Sequence, residues 1–120
     1  MITGIGVDLI ENDRVVRACQ NDNFLKRYYT QKEIELIKLD IKKAADNFAV
    51  KEAVAKMLGT GFRGFTPIDI EVLRDQEGKP YVILYGNAAE LAKQKRAKII
   101  HVSISNTKDY ANAFAVGEEG

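Results

Sequence analysis

The chain has no tryptophan and only one cysteine, one histidine and two prolines among its 120 residues. Cys19 has no cysteine to pair with, so no internal disulfide can form. With His101 as the lone histidine, the sequence also argues against a zinc site within one chain. Neither sign of charge dominates: 18 lysines and arginines face 17 aspartates and glutamates, a net charge of +1. That balance argues against a dedicated nucleic-acid or polybasic membrane surface. No apolar run is long enough to span a bilayer. The stretch Met1 to Asp8 lacks the basic and apolar regions of a signal peptide. Repeats, low-complexity tracts and linkers are absent as well. What is present is an ordinary globular mix, 46% hydrophobic and 29% charged. The length fits one domain over residues 1–120, expected to be cytoplasmic.

Ile5, Val7 and Leu9 alternate with Gly4, Gly6 and Asp8, which predicts a first strand whose second face is nearly bare. Glycine in a strand marks a bulge or a close approach by another backbone or a ligand. Residues 13–29 read as helical, with a break near Asn21-Asp22-Asn23. Thr30-Gln31-Lys32-Glu33 has capping-box spacing and predicts a short helix to about Leu39. A longer helix is expected from Lys42 to Leu58, with Ala49, Val50, Ala53, Val54, Met57 and Leu58 as its core face. Gly59-Thr60-Gly61 should end it, because glycine suits the left-handed C′ position. The period then changes. Residues 68–73 and 81–85 predict a hairpin around the turn Asp75 to Pro80. An alanine-rich helix follows over 87–97, and strands over 98–105 and 110–116 flank the turn Asn106 to Asp109. Helices and hairpins without βαβ alternation indicate an α+β domain, an antiparallel sheet packed with one long helix and shorter ones.

Several residues fit both a structural and a chemical role. Asp8 with Glu11 has capping-box spacing, so Asp8 reads equally as a helix N-cap or as a site residue. The glycines before it favour a site, because they leave room for a ligand. Glu52 and Lys56 are four apart and share a helix face, which is the spacing of an exposed ion pair. With Asp8, however, Glu52 would present two hard oxygen ligands to Mg²⁺, which takes one or two carboxylates and completes its octahedron with phosphate and water. Gly59 to Gly64 is glycine-rich but is not a P-loop, since the Gly-Lys-Ser/Thr ending is missing and these glycines close a helix. His101 lies mid-strand beside Ser103 and Ser105, without the Gly-x-Ser-x-Gly elbow of a serine hydrolase. Arg14 and Arg17 share a face, which alone reads as solvated charge.

Four motifs occur in order over nearly the whole chain. They are Gly6-Val7-Asp8 running to Arg14, then Phe48-Ala49-Val50-Lys51-Glu52-Ala53-Val54-Ala55-Lys56-Met57-Leu58-Gly59-Thr60-Gly61. Gly78-Lys79-Pro80-Tyr81 and His101-Val102-Ser103-Ile104-Ser105 with Thr107-Lys108 follow. In these the chain resembles the acyl-carrier-protein synthases, the small trimeric group of 4′-phosphopantetheinyl transferases. The resemblance implies a Mg²⁺-dependent transfer of 4′-phosphopantetheine from coenzyme A to a serine of an apo-acyl carrier protein. It implies Asp8 and Glu52 as metal ligands, Lys56 on the coenzyme A diphosphate, and catalysis by these three residues. Gly59, Thr60, Gly61, Pro80, Ser105, Asn106 and Thr107 would line the coenzyme A cleft between subunits of a homotrimer. Arg14, with Arg17 beside it, would receive the acidic carrier.

Two positions depart from the pattern. Asn47 stands where many relatives carry arginine, and Asn106 where they carry histidine. An amide is a weaker phosphate donor than a cation. The expectation is therefore a loosened grip on the nucleotide end of coenzyme A, restored by Asn47→Arg. The departures also keep a second reading open, a non-catalytic trimeric domain that binds coenzyme A or a nucleotide for regulation. A third is a small Mg²⁺-dependent phosphohydrolase.

Overall fold

Small residues decide how closely this chain packs. A computed structural model describes residues 1–120. The elements are β1 (Ile2–Glu11), α1 (Asn12–Ala18), α2 (Asp22–Tyr28), α3 (Gln31–Leu39), α4 (Lys42–Met57), β2 (Ile70–Arg74), β3 (Pro80–Leu84), α5 (Gly86–Gln94), β4 (Ile99–Asn106) and β5 (Tyr110–Glu118). The α+β reading holds, with the strands divided between two antiparallel sheets, β1-β5-β4 and the β2-β3 hairpin. The hairpin begins at Ile70, because Pro67–Asp69 forms a single 3₁₀ turn. Its own turn is held by Asp75, whose Oδ1 accepts the Glu77 and Lys79 amides, each at 2.9 Å. Helix α5 stops at Gln94, before the expected Ala97, where Arg96 takes a φ of 60°.

Helix α4 lies against the inner face of the three-stranded sheet. On β5 that face is Ala111, Ala113 and Ala115, all fully buried. On β1 it is Gly4 and Gly6, paired with Gly117 and Ala115. A Cβ on Gly6 would sit 2.0 Å from the Ala53 carbonyl oxygen, and one on Gly4 2.3 Å from that of Met57. No such contact is possible, so these glycines exist to admit the backbone of α4. The ligand space expected beneath them is therefore filled by helix. From the helix side, Ala49, Val50, Ala53 and Val54 are fully buried, as the apolar face predicted. Burying each valine stabilises the fold by roughly 1.5–3 kcal/mol.

The short helices follow their caps. Asn21 caps α2 by accepting the Asn23 and Phe24 amides, which explains the break at that point. Thr30 and Glu33 form the predicted capping box at α3. Asp8, by contrast, caps nothing. It lies inside β1, opposite Ala113, and α1 begins only at Asn12 after Glu11. Strand alternation puts Asp8 on the same side as Gly4 and Gly6, toward α4. The opposite side of the sheet is open and apolar: Ile5, Val7, Leu9, Tyr110 and Phe114 are between 43% and 68% exposed.

Candidate active site

The packing of β1 on α4 brings three predicted residues together. Lys56 Nζ lies 3.0 Å from Asp8 Oδ1 and donates to the Val7 carbonyl at 3.1 Å. The i,i+4 reading paired Lys56 with Glu52, but the ion pair runs across to the strand instead. Lys56 is exposed and Asp8 nearly buried, at 53% and 13% side-chain exposure. A pair so open to water contributes less than about 1 kcal/mol. Glu52 completes the group. Burial pushes its carboxyl above the ordinary range, the Asp8 charge pushes it further, and Lys56 pulls it down. Asp8 Oδ2 is buried and has no hydrogen-bond partner. Leaving such an acceptor unmatched costs about 1–3 kcal/mol, more for a charged group.

That orphaned oxygen beside a second, half-buried carboxylate fits a hard divalent cation. No third histidine, cysteine, aspartate or glutamate joins them. A cation there would keep open positions for phosphate oxygens and water, the usual state of Mg²⁺. About two turns beyond Glu52, Gly59-Thr60-Gly61 leaves the end of α4. Gly59 and Gly61 have φ of 87° and 61°, the left-handed conformation that favours glycine.

The other predicted cleft residues lie elsewhere. Asn106 donates from Nδ2 to both oxygens of Asp46, at 2.9 and 3.1 Å. A cleft of about 580 Å³ opens there, lined by Asn12, Lys42, Asp46, Asn106, Thr107 and Lys108. Asn12 donates to the Thr107 and Lys108 carbonyls, and its own Oδ1 is buried without a partner. Asp46 and Asn12 were not legible as site residues, since an aspartate in the first turns of a helix is commonplace. Asp46 and Gly59 are thirteen residues apart along α4 and its end, about 20 Å at 1.5 Å per residue. One chain therefore does not bring Gly59, Thr60 and Gly61 to Ser105, Asn106 and Thr107. Pro80 stands apart again, at the start of β3 opposite Arg74.

Asn47 corrects an expectation. It is fully buried, donates to Glu33 Oε2 and the Val72 carbonyl at 3.0 Å each, and accepts from Arg74 at 2.8 Å. All of its polar atoms are committed to the core, so it offers nothing to a nucleotide. An arginine there would be driven against the Arg74 guanidinium. Arg14 and Arg17 are exposed on α1 and form no salt bridge. His101 is exposed, with Nε2 2.9 Å from Glu118 Oε1, on the open face of the sheet.

The sequence profile of the 4′-phosphopantetheinyl transferase superfamily matches residues 4–115. The chain is 59% identical over 118 residues to a holo-[acyl-carrier-protein] synthase of Lachnoclostridium phytofermentans, covering 98% of this chain and 97% of that one. Its fold is similar to the Neisseria meningitidis holo-[acyl-carrier-protein] synthase, with a TM-score of 0.89 at 30% identity, covering 98% and 99% of the two chains. It is also similar to a Bacillus anthracis holo-(acyl-carrier-protein) synthase in complex with coenzyme A (3′,5′-ADP), with a TM-score of 0.82 at 35% identity, covering 100% and 99%. The motifs, the fold and these likenesses agree over the whole length: the chain belongs to the 4′-phosphopantetheinyl transferase superfamily.

Proposed function

We propose that this chain is a holo-acyl-carrier-protein synthase, moving 4′-phosphopantetheine from coenzyme A to a serine of an apo-acyl carrier protein. The observation that carries the reading is the half-satisfied trio of Asp8, Glu52 and Lys56, with the orphaned Asp8 Oδ2 at its centre. The serine hydroxyl oxygen forms a bond to the β-phosphorus of coenzyme A. The bond from that phosphorus to the bridging oxygen breaks, and adenosine 3′,5′-bisphosphate leaves with the electron pair. Negative charge grows on the diphosphate oxygens. Lys56, exposed and free to turn from Asp8, meets that charge from the protein side. Asp8 and Glu52 would hold Mg²⁺, which when bound would supply further neutralisation of that charge. The serine proton needs an acceptor, and the Glu52 carboxylate is the candidate on this chain.

The separation of the two predicted groups along α4 supports a cleft built from two copies. One copy supplies Asp8, Glu52, Lys56 and Gly59 to Gly61. Its neighbour supplies Ser105, Asn106 and Thr107, with Lys42 and Lys108 close by. The open apolar face of β1 and β5, with Ile5, Val7, Leu9, Tyr110 and Phe114, is the surface for that contact. Cyclic symmetry would repeat one such interface three times. A trimeric mass by light scattering is expected, and a fully active monomer would overturn the shared cleft. Arg14 and Arg17 suit an acidic carrier, steered to them with an on-rate that falls as salt rises.

Incubation with coenzyme A, Mg²⁺ and an apo carrier tests the reaction. Transfer adds the phosphopantetheine mass to the carrier. Affinity for coenzyme A without transfer would favour a binding domain, and coenzyme A cleavage without a carrier would favour a hydrolase. Reversing Arg14 and Arg17 to glutamate should raise KM for the carrier about tenfold while leaving that for coenzyme A unchanged. An equal loss toward both would assign that face to the wrong substrate. The binding-domain reading rested on the two asparagines, and Asn47 is a core residue with no claim on a ligand.

A further inference from the structure

Lys51 precedes Glu52 on α4 and is buried to 1% exposure. Its Nζ donates to Glu33 Oε1 at 2.8 Å, to the Pro67 carbonyl at 3.0 Å, and to the Ile70 carbonyl. An ammonium has three hydrogens, and all three are used. Burying a lysine and a glutamate together costs several kcal/mol per ion before their attraction is counted, and apolar residues of similar volume often serve packing as well. The pair therefore needs a role beyond filling space.

Two of the three acceptors are backbone carbonyls at the far end of the segment that joins α4 to β2. The near end is tied to the last turn of α4, where the Gly59 amide donates to Lys56 at 2.9 Å and that of Gly61 to Ala55 at 3.2 Å. Between the ends, Gly59, Gly61 and Gly64 would have nothing within 4 Å of an added Cβ, so these three positions face open space. Its course is set by its anchors. Phe65 is buried, and Asn87 Nδ2 donates to the Gly64 carbonyl at 2.9 Å. Lys51 is the anchor that arises from α4, the helix that also carries Glu52 and Lys56. It refers the returning loop to the same rigid rod as the reacting groups.

We propose that Lys51 is a positioning residue. By clamping the Pro67 and Ile70 carbonyls to α4, it holds the Gly59–Gly61 loop in register with Lys56 and Glu52, and so sets affinity for the diphosphate-bearing donor. This rests on the transferase reading above. The test is the double variant Lys51→Met/Glu33→Gln, which removes both buried charges together. Hydrogen exchange of residues 59–66 and tryptic cleavage after Arg63 are expected to quicken about tenfold, with exchange in β1 and β5 unchanged. KM for coenzyme A should rise about tenfold, since small misplacements of binding groups cost at least that much. KM for the carrier should stay constant. Lys51→Gln/Glu33→Gln, which also removes both charges but keeps an amide donor for the carbonyls, should move the same quantities in the same direction by less. Unchanged loop exchange overturns the proposal. So does a loosened loop with unaltered KM for coenzyme A, or a fall in kcat alone, which is what a merely structural residue would produce. The exchange measurement is independent of turnover. Failure of the wild type to transfer phosphopantetheine would therefore sink the transferase reading and leave the clamp to be judged on exchange.

Discussion

Helix α4 carries two polar clusters that begin on adjacent residues, Lys51 and Glu52, about 100° apart around the helix. The Lys51 cluster is closed. Glu33, Asn47, Lys51, Glu71 and Arg74 are joined to one another or to backbone, with Thr30 and Tyr85 bonding Glu71. None of these side chains leaves a buried polar atom unpaired. The Glu52 cluster is open. Asp8 keeps a buried oxygen without a partner, Lys56 reaches water, and two carboxylates stand together with one exposed cation between them. Both clusters hold charge, and the difference is saturation. A saturated buried network has no capacity left for a ligand and acts on structure. An unsaturated one costs stability, and that cost is recovered when a ligand completes it.

The largest expected effect breaks the closed cluster. Lys51→Met alone strands Glu33 in the core without its cation, and should destabilise the fold by about 3–5 kcal/mol. Chemical denaturation measures this, and a stability within about 1 kcal/mol of wild type would mean the cluster was not closed. Next comes the open cluster. Glu52→Gln preserves shape and removes one anionic ligand. It should lower transfer on the order of a hundredfold or more, as losses of charge-stabilising groups do, with an unchanged melting temperature. Near-normal turnover would remove Glu52 from both metal binding and proton transfer. The smallest effect sharpens the electrostatics of that cluster. The Glu52 carboxyl is raised first by burial and second by Asp8, and lowered by Lys56. In the metal-free protein, Asp8→Asn should therefore move its titration to lower pH, and Lys56→Met to higher pH. Carbon NMR of the glutamate carboxyls reads both shifts, and a titration unmoved by either substitution would show that the three groups are not coupled. Because the carboxyl is raised, protons compete with a metal up to a higher pH than for a free glutamate. Divalent-ion affinity should accordingly increase with pH through that range.

Much of the fold was legible along the chain. Thr30 and Glu33 announced α3, the run Asn21-Asp22-Asn23 announced the break before α2, and the apolar face of α4 was correct residue by residue. These are local features, set by side chains reaching one turn or by a period of 3.6. The alternation in β1 was equally plain, and it placed Asp8 on the glycine side. The purpose of the glycines was not legible. A bare strand face admits a ligand or a helix alike, and the choice depends on which element arrives, here the backbone at Ala53 and Met57.

The same boundary divides the site. The spacing of Glu52 and Lys56 put them on one helix face and suggested an exposed ion pair; the resemblance of the Phe48 to Gly61 motif is what marked them as site residues. Which carboxylate Lys56 pairs with was settled across 48 positions of sequence, by the contact of β1 on α4. Asn47 shows the limit most clearly. The resemblance suggested a ligand contact there, yet its neighbours in space are Glu33, Val72 and Arg74, from other elements of the chain. A residue's type and period state which face of an element it occupies. Whether that face meets water, a ligand or another buried charge depends on long-range packing, and no local pattern encodes it.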